Sequence, residues 1–289
     1  MNHYDTLCLS GGGIKGFAFV GALKYLEKKE YINLSNIKHF IGTSAGAITS
    51  LFLSLGYNCK ELKIFILEFD FNKIQPDVNI DNLIINFGID NGEKIILLLE
   101  EFIEYKFDVK DLTFEEHYKL TNKKLSIIGT NYNKGTEVIF NYETKPKMSI
   151  ITAVRISSAV PIIFTPVLFE DEYYIDGGLV NNFPLKYCNQ NTTLGIYIKY
   201  SACNELDNII SLLMGSLSIM CDTVSMKDCC KHNIIEIENI TQEFVKFDLS
   251  LEYKLEIFNL GVSYAKKFIS NIKEFIIDSE EELLQNKFN

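Results

Sequence analysis

The run IGTSAGAITS sets Ser44 midway between Gly42 and Gly46. That spacing suits a serine nucleophile on a sharp strand-to-helix turn, where glycines at both flanks let strand and helix press close around a strained backbone. A Ser N-cap between small residues is the plainer explanation of the same pattern. If Ser44 attacks a carbonyl, another group must take its proton. The histidine of an α/β-hydrolase triad comes last in chain order. Of the four histidines only His232 follows the candidate acids, beside Cys229 and Cys230; His3, His39 and His117 come too early. The acid that stands out is Asp176 in YYIDGGLVNNFP, ending an apolar strand with Gly177 and Gly178 behind it. In a dry, apolar site a carboxylate becomes basic enough to accept a hydroxyl proton directly. An Asp-Gly turn between strands would also account for it.

Three consecutive glycines follow the first apolar stretch. Gly11, Gly13 and Gly16 fit the G-x-G-x-x-G dinucleotide spacing. That fold also needs an acid at the end of the second strand, and here the strand ends Phe40-Ile41-Gly42-Thr43-Ser44. A phosphate loop fails too, because Phe17 stands where its lysine belongs. The same geometry serves a different anion: amides free of Cβ atoms, converging at a helix start, can hold the oxygen of a tetrahedral intermediate.

These residues need elements to hold them. Residues 4–10 read as a strand running into the glycines, 17–28 as a helix, 37–41 as a second strand, and the stretch from Ser44 to Gly56 as an apolar helix. Strand, helix, strand, helix is the opening of a parallel sheet. Residues 61–110 are expected to be mostly helical, with Asp90 or Asn91 capping an amphipathic repeat. Two strands flank the Asn133-Lys134-Gly135 turn, a helix runs over 149–159 up to Pro161, and two short strands surround Glu170-Asp171-Glu172. Further expectations are a strand over 194–200, a buried helix over 208–221, a strand in NIIEI, and a last helix capped by Asp248 or Ser250. Without repeat, linker or low-complexity tract, residues 1–289 read as one α/β domain with its core motifs within 5–190.

Composition narrows the partners. A net charge of −10 with a single arginine, Arg155, argues against nucleic acid. An anionic bilayer is poorly matched on average. Seven scattered cysteines are odd in number, so free thiols in a reducing compartment are expected rather than a disulfide framework. Cys229, Cys230 and His232 lack the second pair that a zinc site wants, so no metal is expected. The start MNHYDTLCLSGGG lacks a signal-peptide layout and no apolar run is long enough to span a bilayer, which points to a soluble, intracellular, cytoplasmic protein.

Glycine loop, G-x-S-x-G and D-G-G in that order resemble the patatin-like phospholipases, whose Ser/Asp dyad works without histidine. AVRISSAVPIIFTPV (residues 153–167), DGGLVNNFP, FDLS and LTFEEHYKLTNKKLSIIGTN are similar to the same family, so the likeness covers nearly the whole chain and is weakest over 58–110. The resemblance implies a three-layer α/β/α fold with a mixed, mainly parallel central sheet. It implies Ser44 as nucleophile, Asp176 as base and Gly11, Gly12 and Gly13 as oxyanion hole, supported by Gly16, Gly42, Gly46, Gly177 and Gly178. Lys15 falls where the family often has a basic residue, so a phosphate contact is weighed against an exposed, solubilising lysine. The activity implied is hydrolysis of a lipid or phospholipid carboxylic ester without cofactor, with peripheral membrane contact and no nucleic acid. A noncatalytic nucleotide-binding or interaction module on the same fold is the alternative.

Overall fold

The computed structural model describes residues 4–199, 215–216, 219–220, 233–238 and 249–285, with side chains of the last helix described to residue 272. Strand β1 (Thr6–Leu9) enters the glycine loop, which tightens into a 3-10 turn, Gly13–Gly16, before helix α1 (Phe17–Lys28). Strand β2 (His39–Thr43) leads through Ser44 into α2 (Ala45–Ser54). Then come α3 (Cys59–Glu68), a 3-10 turn (Phe71–Ile74), α4 (Ile80–Asn86), β3 (Gly88–Asp90), α5 (Glu93–Phe107) and α6 (Phe114–Thr121). The chain continues through β4 (Lys124–Asn131), β5 (Thr136–Phe140), α7 (Ile150–Ser157), β6 (Ile162–Phe164), β7 (Val167–Phe169) and β8 (Glu172–Asp176). Short α8 (Gly178–Asn181), β9 (Thr193–Ile198), β10 (Ile234–Ile237) and the long α9 (Leu251–Gln285) complete the described elements.

The central sheet has the order β10-β9-β1-β2-β4-β8-β7, with β5 on the other edge of β4. The first five strands of that order run parallel, while β5, β8 and β7 are joined by antiparallel pairings. Parallel strands covered on both faces carry continuous apolar runs, and β1 and β9 are buried at every residue. On one face a large apolar cluster joins the sheet to α1, α2, α5, α7 and α9, and on the other a smaller cluster joins Cys8, Ile41, Ile128 and Tyr197 to Phe183 and Leu185.

Several elements differ from the sequence expectation. Strands β3 and β6, each three residues long, pair with one another outside the main sheet; so short a run inside apolar sequence carries no periodicity to read. The cap of α5 is Gly92, in a left-handed conformation (φ 77°), and not Asp90 or Asn91. Those two side chains act from one and two positions earlier: Asp90 Oδ1 accepts from the Gly92 amide at 2.5 Å and Asn91 Oδ1 from the Glu93 amide at 3.0 Å. Ser250 does cap α9, accepting from the Tyr253 amide at 3.1 Å, and Asp248 lies outside the described residues. Of the helix expected over 208–221 only 215–216 and 219–220 are described; they are helical, but Ile219 and Met220 are exposed, since an apolar run alone does not ensure burial.

Candidate active site

The meeting of the two central residues follows from one strand edge. Strand β5 occupies one edge of β4 across Ile127 to Asn131. On the opposite edge β2 pairs up to Thr43 against Ile128, and β8 arrives from the other direction and ends with Asp176 against Gly129. Two strand ends therefore face one another over adjacent β4 residues, and the residue after Thr43 is Ser44.

Ser44 has φ 52° and ψ −120°, a region that only glycine occupies without strain. Its amide donates to Ser157 Oγ at 2.9 Å, which fixes the turn from the end of α7. Close backbone approach explains the flanking glycines: a Cβ on Gly42 would lie 2.4 Å from the Gly46 carbonyl, and one on Gly46 would lie 2.4 Å from the carbonyl oxygens of Leu9 and Ser10. Across the gap the Ser44 hydroxyl lies close enough to the Asp176 carboxyl to favour its ionised form. Asp176 Oδ1 also accepts from the Gly178 amide at 2.7 Å, its backbone N–H donates to Ala159 O at 3.0 Å, and its carbonyl accepts from Thr130 Oγ1 at 2.8 Å. Burial raises the carboxyl to about 7, against the opposing pull of the Gly178 amide and the neighbouring Ser44 hydroxyl.

The glycine loop arrives beside them because Leu9 at the end of β1 pairs with Gly42. Its three amides are not equivalent. Gly11 N–H already donates to Asn182 O at 3.0 Å, whereas Gly13 (φ 55°) forms cavity wall together with Ser44. That cavity, ≈ 200 Å³, runs from Gly13 and Ser44 between α1, α2, α3 and α5, past apolar side chains that include Phe17, Ile48, Phe65 and Leu99. A further hydroxyl on its wall, Ser158 Oγ, is buried with no partner among the described residues.

The patatin-like phospholipase family model matches residues 7–188, which hold the glycine loop, Ser44 and Asp176. The chain belongs to that family. "Probable lipid hydrolase 463L" of Invertebrate iridescent virus 6 is 38% identical over 197 residues, covering 65% of this chain and 66% of the relative. "Uncharacterized protein R571" of Acanthamoeba polyphaga mimivirus is 33% identical over 283 residues, covering 91% and 93%. Among solved structures, VipD from Legionella pneumophila superposes with a TM-score of 0.60 at 18% identity, over 93% of this chain and 67% of that one, a likeness of fold.

Within this patatin-like fold, several contacts tie the motif loops together that no motif reading had singled out. Thr43 Oγ1 donates to Asn181 O at 3.0 Å, so residues 181 and 182 hold both the serine strand and the glycine loop through their carbonyls. Glu137 steadies Asn181 by accepting from its amide at 2.9 Å, and also pairs with Lys186 and with Tyr187 Oη at 2.6 Å. Contacts made to backbone carbonyls leave almost no mark in residue type; the repeated Asn in DGGLVNNFP was the one visible sign.

Arg155 is buried in the structure. It donates to Asn91 O at 2.9 Å and to Thr165 O at 2.9 Å, and burial lowers it to about 10. Lys15 is 1% exposed and engaged within the protein, which removes the solvent-facing alternative. His39 and His117 pair with Ser126 Oγ and Ser54 Oγ at 2.9 Å each; burial pushes both to about 4, and neither lines the cavity. His3, Cys229, Cys230 and His232 lie outside the described residues. No metal-binding cluster of His, Cys, Asp and Glu occurs among the described residues, and no helix there is long and apolar enough to cross a membrane.

Proposed function

We propose that this chain is a serine lipid acyl hydrolase of the phospholipase A or esterase type, acting through a Ser44/Asp176 dyad. The observation that supports it most is the placement of Ser44, on a strained turn at the wall of an apolar cavity, beside the buried Asp176 carboxylate, whose ionised form its hydroxyl favours. A relative called a probable lipid hydrolase agrees with it.

Ionised Asp176 takes the proton of Ser44 as Oγ bonds to the ester carbonyl carbon. Charge moves onto the carbonyl oxygen, which the Gly12 and Gly13 amides receive; the Gly11 amide, given to Asn182, supports the loop instead. Collapse breaks the ester C–O bond, and the departing alcohol takes the proton from Asp176. Water then adds to the acyl-enzyme by the same route, and free carboxylic acid leaves. The walls around Phe17, Phe65 and Leu99 suit an acyl chain.

The deciding experiment is hydrolysis of a lipid panel by wild type, Ser44→Ala and Asp176→Asn, together with fluorophosphonate labelling. Both variants are expected to fall at least about 1,000-fold, and only proteins retaining Ser44 should label. Full activity in Asp176→Asn would refute the base assignment. A protein that fails to label yet shows a nucleotide-induced thermal shift would favour the noncatalytic alternative.

A further inference from the structure

Helix α4 has no buried residue, although it carries Ile80, Leu83, Ile84 and Ile85. With Val78 before it and Phe87 after it, five large apolar side chains stand between 63% and 72% exposed: Val78, Ile80, Ile84, Ile85 and Phe87. Scattered exposed apolar residues are ordinary, but a contiguous group of this kind marks a surface built to meet something.

Its place in the chain says what. The segment leaves the cavity at Phe71 and Ile74 and returns to it at Ile95 and Leu99, so it forms an excursion from the cavity wall. Strand β3, directly after α4, pairs with β6, whose Ile163 and Phe164 line the same cavity. The base of the excursion is fastened. Asp90 Oδ2 accepts from the Asp77 amide at 2.7 Å, Asn79 N–H donates to Ile89 O at 3.2 Å, and Asn82 Nδ2 donates to Gly88 O at 2.8 Å. Arg155 fixes the adjoining Asn91 carbonyl to the Thr165 loop. The apolar side chains are thus presented by a braced unit, and Ile80, Ile84 and Phe87 fall on one helical face by their spacing.

Charge selects among surfaces. Residues 75–94 contain Asp77, Asp81, Asp90 and Glu93 against one cation, Lys94, which is paired with Asp77 at 2.6 Å, so nothing on the excursion attracts an anionic bilayer. We infer that α4 and its flanks are the membrane-docking element, inserting Ile80, Ile84, Ile85 and Phe87 into a zwitterionic lipid surface and setting the cavity rim against it. Apolar groups buried at the headgroup boundary account for such binding without cations. The inference rests on the lipid-hydrolase reading for its purpose but not for its test.

The test compares wild type, Ser44→Ala and a triple variant, Ile80→Gln/Ile84→Gln/Phe87→Asn. Phe87 has φ 67°, which asparagine tolerates, and all three positions are exposed, so the fold should survive; circular dichroism checks it. Sedimentation with phosphatidylcholine vesicles should show wild type and Ser44→Ala bound alike and the triple variant at least about 10-fold weaker. Hydrolysis of vesicle lipid should fall in parallel, while hydrolysis of a dissolved short-chain ester stays within about twofold. Equal vesicle binding by wild type and triple variant would overturn the inference, as would parallel loss on dissolved ester. Conversion of a wild-type dimer to monomer with unchanged vesicle binding would assign the patch to self-association instead. Vesicle binding that depends on the patch in a protein without esterase activity would sink the hydrolase reading and leave the docking surface standing.

Discussion

Burial raises the Asp176 carboxyl to about 7, outweighing the Gly178 hydrogen bond and the nearby Ser44 hydroxyl, which favour its ionised form. In its proposed role as base Asp176 works only when ionised, so kcat/KM is expected to rise with pH through about 7 and level off above it. Stability runs the other way. The folded-state value lies above the ordinary carboxyl value of 3.8, so the folded state binds more protons between the two; the contribution is complete below about 4 and is lost as pH rises through about 7. Asp176→Asn should therefore be inactive yet more stable than wild type at alkaline pH, by up to on the order of 4 kcal/mol, with no difference at low pH. Thermal melts of both proteins across the pH range check this. Ser44 stores strain in the same site. Ser44→Gly relieves the positive φ and Ser44→Ala does not, so of these two inactive variants the glycine form should be more stable by roughly 1 kcal/mol in urea titration.

Strand edges bring these residues together, and they divide what the sequence reveals from what it hides. The β1–α1–β2–α2 opening was legible because apolar periodicity switches from strand to helix at glycine-marked turns. Ser44 and Asp176 stood out because the roles proposed for them require particular residue types at fixed spacing from glycine. That β2 and β8 end against adjacent residues of one β4 edge was not legible, since pairing partners distant in sequence leave no local pattern. The same holds for Arg155, which joins the Asn91 and Thr165 carbonyls and lies over the ring of the cavity-lining Phe164. Arg155→Lys keeps the charge but loses the fork. It is expected to lower the urea midpoint and raise KM for long acyl chains, with kcat on a short dissolved ester little changed. Gly46→Ala should act more severely than a surface change, because the clash is with backbone carbonyls that cannot swing aside. A loss of at least about 100-fold in kcat/KM is the expected reading, through misplacement of both serine and glycine loop.

At the scale of the whole molecule, the site depends on a helix beyond the family-matched residues 7–188. Helix α9 packs on α1 at two reciprocal glycines: a Cβ on Gly21 would lie 2.0 Å from Phe258 O, and one on Gly261 would lie 2.0 Å from Ala18 O. Backbones in such contact leave no slack, so any side chain there must push the helices apart. Helix α1 begins where the glycine loop ends, and its Phe17 and Val20 are cavity wall, so a displaced α9 moves both the proposed oxyanion donors and the cavity proposed for the acyl chain. Gly261→Ala is expected to cost roughly 1–3 kcal/mol in denaturant unfolding and to raise KM for long-chain esters more than for short ones. Lys267→Ala, at an exposed position on the same helix, should stay within about 0.5 kcal/mol of wild type and leave KM unaltered. If Gly261→Ala matched Lys267→Ala on both measurements, α9 would be a passive cover, and the positioning of the glycine loop would have to be ascribed to the sheet and α2 alone.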